Sequence, residues 1–468
     1  MGALKFVITR AVSCLIVGLF FCGSVLAATE KFITVADIHF NPFASCEKKS
    51  SPCATATALR QAPYQVWDAI LARAGYQLAP RYHQETNYFL LKSTIAELAR
   101  ITRQEKPAFI LVLGDFLAHG FSQKYKKYAG DPSTAGYQAF VKKTLQFLTA
   151  ELKKITSAVA IYPVIGNNDS YTHNYEVVPQ GAFLQDAATI FSLLINDKIA
   201  QAEFRQQFSN GGYYAITLTE KNKRLIILNS VLFNTNYHTA AMQKAAAAQL
   251  TWLAAQLNLA KQQHQKVLLA FHIPPGVNTF LAIKLPYKII HYFWQPVFWQ
   301  AAATELFLET VKPFSTTIIG ILAAHIHADA FQLIKSADAD YIPVLFTPSI
   351  SPIYGNNPGY KLFSYDKKTF QLVNVDTYYY PLDSLSAAQW KKEYNFNTIY
   401  QTGCRHCLLV NGMLRLTKDN SLVNFYKKYY AVGQNAQPIT TQNAWLPYYW
   451  CSIYHIDFPT YQRCIKDY

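Results

Sequence analysis

The stretch Thr34-Val35-Ala36-Asp37-Ile38-His39 closes an apolar, β-branched run with an aspartate and a histidine two residues apart. Four later segments have the same form: Leu113-Gly114-Asp115-Phe116-Leu117-Ala118-His119, Val164-Ile165-Gly166-Asn167-Asn168-Asp169, Leu269-Ala270-Phe271-His272 and Ala323-Ala324-His325-Ile326-His327. Short apolar runs of this kind read as buried strands. Five strand ends therefore deliver oxygen or imidazole donors, as expected where the strands of an α/β sheet open into a crevice at their carboxyl ends. Each piece alone is ordinary, since a single histidine ending a strand is more often a hydrogen-bonded core residue. The order and spacing of all five carry the reading. The donor mix suits a pair of divalent transition-metal ions, zinc first, with manganese or iron as alternatives. Alternation along a strand points the rings of His325 and His327 to one face, and glycines before Asp115 and Asn167 permit tight approach.

Around these segments, strand-like runs over 32–36, 109–113, 159–165, 213–218, 225–228, 267–271 and 316–323 alternate with helical periods at about 62–74, 89–104, 138–156, 243–262 and 298–311. That alternation predicts an α/β fold with helices covering sheet faces. From Tyr341 the pattern becomes consecutive short strands at 343–346, 362–365 and 370–379. Beyond Pro381 aromatic-rich helical periods run over 384–401 and 420–431, with another near the end. The expected division is a targeting segment at 1–27, a catalytic domain at 28–382 and a helical C-terminal domain at 383–468.

Lys5 and Arg10, the apolar run from Ala11 to Leu26 and the small residues around Ala27 have the form of a cleavable signal peptide. A secreted or periplasmic chain is the expectation. Of the eight cysteines, Cys14 and Cys22 leave with that segment, and the others form three local pairs, Cys46/Cys53, Cys404/Cys407 and Cys451/Cys464. An even count in an oxidising compartment predicts three disulfides; a zinc knuckle on Cys404-Arg405-His406-Cys407 is the rival for the middle pair. The net charge of +15 biases the surface toward anionic partners. The cluster Lys124, Lys126 and Lys127 reads as solvated surface.

The ordered set of five segments resembles the calcineurin-like metallophosphoesterases, whose pattern is Asp-x-His, Gly-Asp, Gly-Asn-His-Asp/Glu, His and Gly-His-x-His. Gly114-Asp115 with His119 is similar to the Gly-Asp-x-x-x-His form of the acid sphingomyelinase-like phosphodiesterases. Asn356-Asn357-Pro358-Gly359-Tyr360 and the ending Cys451-Ser452-Ile453-Tyr454 … Cys464 are similar to that family too. The resemblance implies a four-layer α/β/β/α sandwich with a disulfide-pinned helical C-terminus. It also implies one metal on Asp37, His39, Asp115 and His327, with Asp115 bridging to a second on Asn167, His272 and His325. Two departures stand out. Asn168 replaces the histidine that commonly protonates the leaving group, which makes His119 the first candidate general acid and His173 the second. Gly-Asn-Asn-Asp also occurs in endopolyphosphatases. The other departure is Ala324, in place of glycine before His-x-His.

These features imply hydrolysis of a phosphodiester by metal-activated hydroxide, on an anionic phosphorylated small molecule, lipid or polyphosphate. An endopolyphosphatase is the rival enzyme, and a non-catalytic metal- and anion-binding protein is the rival of another class. No sequence-specific nucleic-acid motif is present. Aromatics at 291–298 and 445–450 suit either a peripheral membrane contact or, more often, a core.

Overall fold

The computed structural model describes residues 28–47, 51–284, 295–336, 340–383, 389–401, 408–416, 419, 421–433 and 443–468. The signal-like segment, the Cys404/Cys407 pair and the aromatic stretch over 291–294 lie outside them. Among the described residues no helix is long and apolar enough to cross a membrane.

Two six-stranded sheets organise the chain. The first runs in the order β12-β11-β10-β1-β2-β3, with β1 at Thr29–Val35, β2 at Phe109–Leu113, β3 at Ala160–Val164, β10 at Gly359–Asp366, β11 at Leu372–Tyr379 and β12 at Lys391–Asn395. The second runs β4-β5-β6-β7-β9-β8, with β4 at Tyr214–Thr217, β5 at Lys223–Ile227, β6 at Lys266–Ala270, β7 at Ile318–Ala323, β8 at Phe331–Lys335 and β9 at Tyr341–Phe346. β1, β2 and β3 are mutually parallel, as are β5, β6, β7 and β9. Parallel neighbours need crossover connections. The helices Tyr88–Glu105, Thr134–Lys153, Ala240–Gln262 and Ala301–Val311 supply them for β1–β2, β2–β3, β5–β6 and β6–β7, while β8 lies in the β7–β9 connection. Asn87, Ser133 and Thr239 cap the first three, each side chain accepting a first-turn amide.

β2 is buried along its whole length, as a strand covered on both faces requires. The sheets meet through the Tyr214 hydroxyl, which donates to the Pro163 carbonyl at 2.8 Å, and the Thr34 and Thr347 hydroxyls, 2.7 Å apart. Helices lie outside the paired sheets, which gives the expected four-layer α/β/β/α sandwich. Cys46–Cys53 and Cys451–Cys464 are bonded, the latter joining the helices Leu446–Tyr454 and Phe458–Lys466.

Several elements depart from the sequence expectation. The helix expected over 62–74 is shorter, Trp67–Arg73, because Pro63 is extended and a 3-10 turn at Tyr64–Val66 precedes it; the helix Ala54–Gln61 before Pro63 was not anticipated. The helices Phe121–Ala129, Ala182–Ser192 and Lys198–Gly211 and strand β8 were not anticipated. Within 384–401 the described residues form β12 and then the short helix Phe396–Tyr400. β12 is held as an edge strand by Asp376 of β11, which accepts from Lys392 Nζ at 2.8 Å and Asn395 Nδ2 at 2.6 Å. Of the aromatics in 445–450, Tyr449 and Trp450 are buried, edge-on to Tyr430 and Tyr426 respectively.

A buried polar knot ties three strands of the first sheet to the second. Asp329, in the β7–β8 connection, accepts from Lys361 Nζ at 2.5 Å, Thr377 Oγ1 at 2.6 Å and the Tyr394 hydroxyl at 3.0 Å, one partner from each of β10, β11 and β12. Asn357 ties three more segments. Its side chain donates to the Val432 carbonyl and accepts from the Tyr82 hydroxyl and the Leu382 amide. Replacing Lys361 by Met leaves the Asp329 carboxylate buried without its cation, and such losses cost about 3–5 kcal/mol. The expected result is a lower denaturation midpoint with an unchanged m-value; an unaltered midpoint rules out this knot as a stabilising element.

Candidate metal centre

Every histidine, carboxylate and amide singled out as a metal-ligand candidate sits just past the carboxyl end of a parallel strand. Asp37 and His39 follow β1, Asp115 follows β2 and Asn167 follows β3; His272 follows β6, and His325 and His327 follow β7. The two sheets thus aim their strand ends at one place. The loops are zipped to one another: the Asp37 amide donates to the Gly114 carbonyl at 3.0 Å, His39 N to Asp115 O at 2.9 Å, and Ala324 N to His272 O at 3.0 Å.

Reaching inward has a conformational cost. Asp37, His39, Asp115, His325 and His327 all adopt positive φ, between 42° and 73°, a region L-residues avoid and one found at functional sites. Gly114 and Gly166 make the approach sterically feasible. A Cβ on Gly114 (φ 90°) would stand 2.7 Å from Gly166 N and 2.8 Å from His272 Nδ1, and one on Gly166 would collide with Asp115. Ala324 is fully buried and has no positive φ, so alanine fits where the resembling pattern has glycine.

Three groups of donors form: Asp37/His39/His327 and Asp115/His272/His325 face one another, and His39/Glu85/His119 shares His39 with the first. Asp115 Oδ2 lies between the facing two, 3.4 Å from His39 Nε2 and 3.3 Å from His272 Nε2. Asn167 Oδ1 is 3.1 Å from His272 Nε2. His327 Nε2 is 3.3 Å from Asp37 Oδ1 and 3.2 Å from His39 Nε2.

The hydrogen bonds around the rings decide which nitrogens face inward. His39 Nδ1 meets the Leu117 carbonyl at 3.0 Å and His272 Nδ1 the Leu113 carbonyl at 2.6 Å. A carbonyl can only accept, so both Nδ1 atoms carry hydrogen and both Nε2 lone pairs point into the centre, the arrangement that prepares a ligand. Asp37 Oδ1 is buried without a hydrogen-bond partner among the described residues. A buried carboxylate oxygen left open among imidazole lone pairs fits a cation.

Electrostatics within the cluster run in opposite directions. Burial disfavours the ionised Asp115, but His272 and His39 beside it outweigh burial and hold the carboxyl below its ordinary range. Burial likewise opposes charge on His272, while Asp115 and Asp37 raise it to about 9; the pocket thus favours a positive charge at this ring, which a cation on the Nε2 lone pair would supply in place of a proton. His325 is pushed down to about 3, by burial first and by His272 second.

The candidate acids part company here. His119 stacks on His39 with ring centroids 4.2 Å apart. Its Nδ1 lies 3.1 Å from Glu85 Oε1, which also accepts the His119 amide, while Lys124 pairs with the other Glu85 oxygen. The Tyr354 hydroxyl is 3.4 Å from His119 Nε2, and its ring stands edge-on to His327. His173 is exposed and stands apart, its ring near Tyr237. Asn168 bonds to both oxygens of Asp115, through its amide to Oδ1 and through Nδ2 to Oδ2, each at 2.8 Å. Asp169, next along, accepts the Phe116, Leu117 and Gly166 amides and so folds one ligand loop onto another.

Sequence reading missed Glu85 and Tyr354. Both lie in polar, loop-like stretches where a lone Glu or Tyr carries no signal, and only the fold brings them to His119.

Residues 31–329 match the calcineurin-like phosphoesterase family and residues 339–468 match the acid sphingomyelin phosphodiesterase C-terminal region. Acid sphingomyelinase-like phosphodiesterase 3b of Mus musculus is 22% identical over 457 residues, covering 94% of this chain and 90% of that protein. Sphingomyelinase phosphodiesterase D of Dictyostelium discoideum is 24% identical over 429 residues, covering 87% and 89%. Cyclic GMP-AMP phosphodiesterase SMPDL3A of Bos taurus is 23% identical over 338 residues, covering 69% and 70%. With two sheets converging on this donor cluster and the family match spanning most of the chain, the protein belongs to the calcineurin-like phosphoesterase family and carries the C-terminal region of the acid sphingomyelin phosphodiesterases.

Proposed function

We propose that this chain is an exported, metal-dependent phosphodiesterase using two divalent ions, zinc by preference, on a phosphorylated small molecule or lipid headgroup. The observation that carries the reading is Asp115 Oδ2, within 3.4 Å of one imidazole from each of the two facing donor groups. Asp37, His39, Asp115 and His327 would hold one ion, and Asp115, Asn167, His272 and His325 the other. Such a pair, when bound, supplies the charge that makes a water nucleophilic near neutral pH. The relatives named for sphingomyelin or cyclic GMP-AMP support a diester substrate. Export rests on the signal-like start of the chain.

The chain's own groups do the rest. Asn168 fixes the Asp115 carboxylate through two hydrogen bonds, so the asparagine that replaces the usual acid positions a ligand. The proton for the leaving oxygen then comes from His119. Glu85 accepts at Nδ1 of His119 and so leaves Nε2, 3.4 Å from the Tyr354 hydroxyl, as the nitrogen that gives up the proton. Burial opposes charge on Glu85, but the His119 hydrogen bond first and Lys124 at the second oxygen next hold its carboxyl below the ordinary range.

Metal-stripped protein should not turn over bis-p-nitrophenyl phosphate, and zinc or manganese should restore activity. Asp115→Asn should lose about a thousandfold in kcat, the upper range for removing one preorganised electrostatic group, with less metal retained in elemental analysis. Full activity in stripped protein would sink the reading.

His119→Ala should slow a diester with an alkoxide leaving group about 10²- to 10⁴-fold, the range for general acid catalysis. It should spare the p-nitrophenyl ester, whose leaving group needs no proton. Equal losses on both substrates would assign His119 to binding instead. Glu85→Gln should show the same selectivity with a smaller loss.

A further inference from the structure

A cavity of about 330 Å³ opens beside the metal centre, between the start of the helix Phe121–Ala129 and the loop after β3. Asn168 belongs to both places, lining the cavity while bonding to Asp115. The wall is polar. Ser122, Ser170, Thr172, His173 and Asn174 contribute hydroxyl, imidazole and amide groups, and no lining residue is acidic.

One lysine lines it. Lys124 is paired with Glu85, and Lys127 lies over the Tyr128 ring at 4.9 Å. Lys126 lines the cavity and has no acidic partner among the described residues. An unneutralised ammonium beside hydroxyl and amide donors is an anion site in chemical terms. Gly120 starts the helix without a side-chain cap, so the first-turn amides on the same wall add to the positive potential.

The loop is built to hold its shape. Asn167 donates from Nδ2 to Asn174 Oδ1 at 2.7 Å, and the Ser170 hydroxyl, 2.9 Å from that of Thr172, also accepts the Thr172 amide at 3.1 Å. Asn167 therefore couples the cavity wall directly to the His272 side of the centre. Lys126 stands six residues, about 9 Å along the helix axis, beyond Gly120. The cavity shares Asn168 with the loop that braces Asp115 but contains none of the donor residues, so a group bound there is held beside the centre and not in it.

We infer that this cavity takes a second phosphate carried by the substrate, several bonds from the scissile diester, and that Lys126 is the specificity-determining residue for it. The inference rests on the phosphodiesterase reading and narrows it, since a zwitterionic lipid headgroup has no second anion to place there.

Two matched esters test it: thymidine 5′-(p-nitrophenyl phosphate), and the same compound bearing a 3′-phosphate. Both release p-nitrophenolate from the same kind of bond and differ only in the second anion. The metal-loaded wild-type protein should prefer the 3′-phosphorylated ester in kcat/KM. Lys126→Gln and Lys126→Glu should cut kcat/KM for that ester about tenfold or more, one charge-assisted contact's worth, and leave the plain ester within about twofold. Lys126→Arg should keep the preference. Absence of preference in the wild type, equal preference in Lys126→Glu, or parallel loss on both esters overturns the inference. Failure of the metal-loaded wild type on both esters and on bis-p-nitrophenyl phosphate removes the underlying phosphodiesterase reading as well.

Discussion

One carboxylate holds this architecture to its purpose. Asp115 leaves the end of β2 in the first sheet, yet its Oδ2 lies as close to His272, from the second sheet, as to His39, from its own. In a buried setting a charge at that distance from two imidazoles is worth far more than in water. The sheets must therefore stay in register to within a fraction of an ångström for the pairings to survive. The inter-sheet contacts through Tyr214 and Thr34, and the Asp329 knot just past His327, maintain that register from either side of the centre.

The same demand explains the backbone. Five donors in left-handed conformations cost of order 1–3 kcal/mol each by the usual measure of such strain, and local packing alone does not recover that. The loops recover it by bonding to one another: β1's loop to β2's, β6's to β7's, and Asp169 across to Phe116 and Leu117. Gly114 and Gly166 pack face to face at the point of closest approach, which is why neither position accommodates a side chain.

Much of this was legible in the sequence because it is written in strand ends. An apolar run that stops on Asp, Asn or His announces both a buried strand and what it delivers, and the structure brings all seven such donors together. The glycines before Asp115 and Asn167 were legible for the same reason. What was not legible depends on contacts across the fold. Glu85 means something only when His119 and Lys124 fold against it. Residues 391–395 become a strand because Asp376 grips Lys392 and Asn395, although the aromatic spacing nearby suggests a helix. Asn168 was readable as a departure but not as a brace for Asp115, since that role is set by two hydrogen bonds and not by neighbours in the chain.

The span between donors also sets a timetable. His39 and His327, in ring contact in the finished protein, are separated by 288 positions. At ordinary synthesis rates roughly 15–60 s pass between making one and the other. Through that interval Asp37, His39 and Asp115 exist without their partners from the second sheet, and the nascent first sheet lacks β10, β11 and β12, which are made later still. The donor cluster therefore cannot assemble until His327 has been made, and the edge pairing of β1 with β10, which joins the first and last thirds of the chain, can follow only after that.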